Sequence, residues 1–200
     1  MKNNKNRRTS ILALVETAMM VALAVGLEVL SGLIPGPWAY GGSISLGAIP
    51  IFYLSYRRGW KWGISAGFVY ACVQMLLGFY VPPANTVWAL ILCILLDYVI
   101  AFTALGLAGA FAAPFEKSGK ASASIAGYIV GAFGASFLRF ICSFFSGVIL
   151  WGSCAPEGVN VWVYSLVYNG SYMLGNAAIA AVVLTWLCLA IDPKTLKPMK

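Results

Sequence analysis

Glu28, Asp97 and Arg139 are charged residues that fall inside long apolar runs of this chain. A charge within a hydrocarbon layer is costly, so such residues face a bundle interior or a wet cavity and mark functional sites or ion pairs. Asp97 and Arg139 carry opposite charges, which leaves two readings open. They could pin two helices together, or Asp97 and its neighbour Tyr98 could belong to a polar, aromatic pocket. Spacing adds detail around Arg139. Arg139, Ser143, Gly147 and Trp151 recur every fourth residue and so share one helical face. Read inward from Trp151, that face offers an aromatic wall, a gap without a side chain, a hydroxyl and a cation. A second stripe, Ser165, Asn169, Tyr172 and Asn176, is too polar for a lipid-facing surface and is expected inside the bundle.

Aromatic residues flank the same runs: Trp38, Tyr40, Tyr80, Trp151, Trp162 and Tyr164. A belt at the lipid headgroups is one reading of them. The other is a ligand site, because rings above a buried carboxylate suit a flat organic cation, at roughly 0.5–2 kcal/mol per ring. A carboxylate and an amide can also hydrogen-bond a heterocycle that bears ring nitrogens and an amine. Other chemistry is not expected. The chain has no histidine, and Cys72, Cys93, Cys142, Cys154 and Cys188 show no C-x-x-C spacing, so neither a metal centre nor a disulfide framework is indicated. No phosphate-binding loop, G-x-S-x-G elbow or H-E-x-x-H helix is present, which argues against ATP hydrolysis by that route and against an enzyme. No cofactor is implied.

The elements that must position these residues follow from composition. Of 200 residues, 61% are hydrophobic and only 10% charged, with a mean hydropathy of +0.86. A soluble domain carries roughly 25% charged residues, so most of this surface must meet lipid. The net charge of +7 is spread in a way that points away from nucleic acid. Lys2, Lys5, Arg7 and Arg8 precede the first apolar run. Arg57, Arg58 and Lys61 lie between the second and third, Lys117 and Lys120 between the fourth and fifth, and Lys194, Lys197 and Lys200 after the last. Six alternating spans put all of these on one side, the pattern of cytoplasmic loops. The expectation is an all-α integral membrane bundle of six transmembrane helices with both termini cytoplasmic. Residues 1–10 and 192–200 form basic tails around a 11–191 substrate-binding domain. Helices are expected at 11–33, 44–56, 62–80, 86–111, 122–150 and 164–191, broken by Pro35-Gly36-Pro37, Pro82-Pro83 and Pro156-Glu157-Gly158. In the first helix Ala18, Ala22 and Gly26 recur every four residues. Such a stripe lets backbones approach closely, either within the bundle or against another membrane protein.

Several stretches resemble the thiamine-specific S-component of energy-coupling factor (ECF) transporters. They are Gly41-Gly42-Ser43-Ile44-Ser45-Leu46 with Ile49-Pro50 and Arg57-Arg58-Gly59, then Leu96-Asp97-Tyr98 with Ala101-Phe102. Gly106-Leu107-Ala108-Gly109 adds to them. The most specific block runs from Gly147 to Tyr172 and includes Trp151-Gly152-Ser153, Ala155-Pro156, Trp162-Val163-Tyr164-Ser165 and Tyr168-Asn169-Gly170-Ser171. The resemblance spans about residues 10–190 in order. It implies a multi-pass subunit of the bacterial cell membrane that captures thiamine from outside and docks on an ECF energising module, one membrane coupling subunit with two ATPases that hydrolyse the ATP. It further implies that Trp38, Trp151 and Tyr164 stack on or flank the ligand, and that Tyr98, Gly147 and Asn169 line the site. Asp97 would contact the aminopyrimidine, and Ala18 and Ala22 would match the docking face on the first helix. Two positions depart from the pattern. Ser143 stands where family members carry a ligand-contacting histidine, and Asp97 where some carry glutamate. The alternative class is a stand-alone, ion-coupled secondary transporter of a cationic heterocycle, with Asp97 or Glu28 as the coupling carboxylate.

Overall fold

Lipid offers no partner to a bare N–H or C=O, so apolar runs of this length close their hydrogen bonds internally as helices. The computed structural model describes residues 2–33, 36–38, 42–84, 86–117 and 120–196, with side chains from residue 9 onward. Pro35, Tyr40 and Gly41, Lys197 and Lys200, and the side chains of Lys2, Lys5, Arg7 and Arg8 lie outside the described residues. Among these residues there are six helices and no strand: α1 Lys2–Gly32, α2 Ala48–Arg58, α3 Trp60–Leu77, α4 Val87–Glu116, α5 Ala121–Leu150 and α6 Val161–Ala190. Four of them, α1 from Thr9, α4, α5 and α6, are long and apolar enough to cross a bilayer.

The second helix is shorter and starts later than its apolar run suggests. At 11 residues it is about 16 Å long. Its Ile49, Ile51, Phe52, Leu54 and Tyr56 are all buried, so it forms the centre of the bundle, as a helix apolar on every side must. Residues 44–47, expected as its first turn, are not helical because neighbouring helices take their backbone groups. Asn176 on α6 accepts from Ser45 N at 2.8 Å and donates to Ser43 O at 2.9 Å. Ser31 on α1 accepts from Leu46 N at 3.2 Å, and the Ser45 hydroxyl bonds Glu28. Side-chain partners of this kind compete with a helical ladder.

Between α2 and α3 the chain reverses at Gly59, whose φ of 89° lies in the region that only glycine enters freely. α3 then crosses α4 at very short range. A Cβ on Gly67 would lie 2.6 Å from Phe102 O, so small residues set this approach. α4 is not regular. It passes through a π-helical turn at Ile94–Val99, breaks at Gly106 and Leu107, and continues through Pro114 to Glu116, beyond the expected end at 111. α6 begins three residues earlier than the apolar run, since Asn160 caps it by accepting from Trp162 N at 2.9 Å.

The basic segments gather at one end. Glu16 accepts from Arg57 at 2.9 Å and from Arg58 at 2.6 Å, Arg57 also donates to Pro193 O, and Lys194 pairs with Glu116. The middle of α1 at Glu16, the α2–α3 turn, the end of α4 and the C-terminal segment therefore meet. On the flank, Ala18, Ala22 and Gly26 are exposed, and a Cβ at Gly26 would find nothing within 4 Å. Packing inside the bundle, one of the two readings of this stripe, is thereby overturned. The five cysteines are unpaired, with Cys93 and Cys188 buried.

Candidate functional site

Opposite the basic end, the helices part around a cavity of about 470 Å³. Its walls come from the end of α1, residues 42–43, the end of α3, the first half of α4, the second half of α5 and the start of α6. Asp97 sits within the π-helical turn of α4, a widened turn of the kind found at functional sites. Its Oδ2 accepts from Ser146 Oγ at 2.6 Å, from Trp151 Nε1 at 3.3 Å and from Cys93 Sγ at 3.5 Å. Among the described residues none of its hydrogen bonds uses Oδ1. The carboxylate is thus held through one oxygen, and a charge so held is less costly to bury.

Arg139 does not pair with Asp97: among the described residues its guanidinium lies over the Phe102 ring, 4.3 Å from the centroid, and its buried Nε has no hydrogen-bond partner. The ion-pair reading is therefore corrected. Packing explains the outcome, because the Phe102 face takes the cation and three other donors occupy Asp97 Oδ2.

Seven of the eight residues expected at the site line this cavity: Asp97, Tyr98, Ser143, Gly147, Trp151, Tyr164 and Asn169. Trp38 does not. It packs edge-on against Tyr172, with ring centroids 5.8 Å apart, and donates to Ser171 Oγ at 2.8 Å, so it stands beside the cavity wall. Two of the lining residues do different work from that read in their spacing. Gly147 is not a gap for a flat ligand, since a Cβ there would run into Ser165 Oγ and lie 3.1 Å from Asn169 Nδ2. Its missing side chain admits α6 instead. Asn169 is spent on the same contact, donating to Ser143 O at 3.3 Å and Ser165 O at 3.1 Å and accepting from Tyr172 Oη at 3.0 Å. The Tyr98 hydroxyl is likewise committed to the end of α3 and the residues after it, through Tyr80 N and Gly78 O, which leaves its ring as a wall.

Other lining residues were not assigned from the sequence. Tyr168 and Tyr172 follow Tyr164 at intervals of four, and the three rings run in sequence down α6. That periodicity was available, although the polar stripe beside it was the stronger signal. Ser146 carries no sequence signal at all; it is fully buried and does not line the cavity. Trp162 is about half exposed and packs on Phe144 and Phe145, outside the cavity, as a belt residue would. Among the described residues no group of His, Cys, Asp or Glu could hold a metal ion.

An apolar-skinned helical bundle enclosing ionisable residues around a cavity is the architecture of a multi-pass membrane protein with an internal site for a small polar ligand. The family model described as Thiamine transporter protein (Thia_YuaJ) matches residues 14–196. The thiamine transporter ThiT of Bacillus subtilis (strain 168) is 36% identical over 200 residues, covering 98% of this chain and 99% of that protein. ThiT of Lacticaseibacillus paracasei (strain ATCC 334) is 34% identical over 199 residues, with coverages of 92% and 90%. A solved structure of ThiT from Listeria monocytogenes shares the fold, at a TM-score of 0.75 and 23% identity over 95% of this chain and 100% of that one. The chain belongs to the thiamine transporter protein family. It is a multi-pass protein of the cell membrane and a transport component rather than an enzyme.

Proposed function

We propose that this chain is the thiamine-binding membrane subunit of an ECF transporter, which captures the vitamin from outside in its cavity and relies on partner ATPases for import. The observation that carries this reading is Asp97. It lines a cavity of about 470 Å³ walled by Trp151, Tyr98 and Tyr164, and among the described residues its Oδ1 makes no hydrogen bond. Such a carboxylate can accept from the amine of an aminopyrimidine, while the rings pack against the flat heterocycles. Ser143, buried and short, leaves space on α5 that a water can fill.

The same reading places the basic end in the cytoplasm, by the positive-inside rule, and opens the cavity outward. Ala18, Ala22 and Gly26 lie on an exposed face of α1, where a coupling subunit of the energising module can pack. The chain itself has no phosphate-binding loop, so ATP hydrolysis falls to the partner.

Titration of the detergent-purified chain with thiamine tests the proposal through tryptophan fluorescence, since Trp151 bonds Asp97 directly. Saturable, submicromolar quenching is expected, and Asp97→Asn is expected to weaken it markedly. Unchanged affinity in that variant would remove the role given to Asp97. Proton-driven uptake by proteoliposomes containing this chain alone would replace the partner-dependent mechanism with a secondary transporter.

A further inference from the structure

Glu28 is a charged residue lining the cavity to which the thiamine reading gives no task. Its Oε2 accepts from Tyr70 Oη at 2.9 Å and from the Ser45 hydroxyl. Among the described residues its Oε1 makes no hydrogen bond, and it is not one of the buried polar atoms left without a partner. That oxygen is therefore open to the cavity that Glu28 lines. Glu28 thus repeats the arrangement at Asp97, with one oxygen anchored and one presented.

Among the described residues, the charged residues lining the cavity are Glu28, Asp97 and Arg139. Together they leave one net negative charge. Arg139 contributes at the same inner end, because Tyr70 packs edge-on against the Phe102 ring that carries the guanidinium. A ligand with one fixed positive charge makes the filled cavity neutral. Without Glu28, the same ligand would leave a buried positive charge beside Arg139, which an interior of low dielectric penalises.

We propose that Glu28 is the charge-selecting residue of this cavity, giving it a preference for ligands that carry a permanent cation. This rests on the thiamine reading, in which the cation is the thiazolium ring. The competing role is purely mechanical: Glu28 would only fasten residues 42–47 to α1 through Ser45.

The test is a fluorescence titration of the full chain with thiamine and with its uncharged thiophene isostere, for wild type and Glu28→Gln. Glutamine keeps the acceptor oxygen and the volume and removes the charge. Unit charges about 8 Å apart at an effective dielectric of about 20 correspond to roughly 30-fold in affinity. Thiamine binding is therefore expected to weaken about 30-fold in Glu28→Gln, while the isostere changes by less than about threefold. Equal losses for both compounds, or no loss for either, would overturn the proposal and leave Glu28 as an anchor. The wild type gives a second readout that needs no variant: it must prefer thiamine to the isostere by at least about tenfold, and equal affinities would overturn the proposal by themselves. A wild-type chain that binds neither compound would overturn the thiamine reading and this inference with it. Thiamine binding with an unchanged preference in Glu28→Gln would overturn this inference alone.

Discussion

Ser146 touches no ligand-facing surface, yet its removal is expected to weaken thiamine binding. Its Oγ is fully buried and donates to Asp97 Oδ2 at 2.6 Å, the shortest of the three bonds that hold the carboxylate. A hydrogen bond to a charged acceptor contributes about 1.5–3 kcal/mol. In Ser146→Ala the indole of Trp151 at 3.3 Å and the thiol of Cys93 at 3.5 Å remain, so part of the restraint survives. A tenfold loss of affinity, about 1.4 kcal/mol, is the expected size. Thiamine titration by tryptophan fluorescence measures it, with Asp97→Asn as the companion variant. If Ser146 acts by holding Asp97, then Ser146→Ala in the Asp97→Asn background is expected to cost less than about 0.5 kcal/mol further. Wild-type affinity in Ser146→Ala, or full additivity in the double variant, would refute the argument that one oxygen is anchored so that the other can be presented.

On the exposed face of α1, Ala22→Trp is expected to abolish thiamine uptake in cells while leaving binding to the purified chain intact, because Ala22 is exposed among the described residues. Loss of binding with normal partner assembly would contradict that. Gly147→Ala is expected to lower thermal stability in detergent by about 1–3 kcal/mol, since the new methyl meets Ser165 and Asn169 across the α5–α6 contact. A variant as stable as wild type would show that α6 moves aside freely. Glu16→Gln replaces the carboxylate that Arg57 and Arg58 share. Partly exposed pairs contribute little, so a loss of about 1 kcal/mol is expected, measured as a lower melting temperature in low salt that narrows as salt is added. A salt-independent difference would mean that the cluster acts by packing.

Some of this protein was legible from residue types and order alone. Hydropathy sets how many apolar runs must leave water, and the grouping of Arg57, Arg58 and Lys194 with the other basic residues follows from alternation of those runs, which the structure reproduces by bringing these three to one end. The face shared by Arg139, Ser143, Gly147 and Trp151 also follows from local geometry, because helical periodicity does not depend on what the helix packs against. The relations between helices were not legible. Asp97 and Arg139 have opposite charges, but whether they meet depends on the rotation of α4 against α5 and on the Phe102 face that takes the guanidinium. Gly147 reads as empty space in one helix and becomes a contact once α6 is placed against it. Residues 44–47 look apolar enough to begin a helix, yet Asn176, far away along the chain, bonds Ser45 N and the preceding Ser43 O. Ser146 is an unremarked serine until α5 lies beside the π-helical turn of α4. Periodicity and charge placement are properties of one segment and its solvent, so the sequence by itself determined them. Which donor reaches which carboxylate is a property of two segments at 3 Å, and only the tertiary structure decided it.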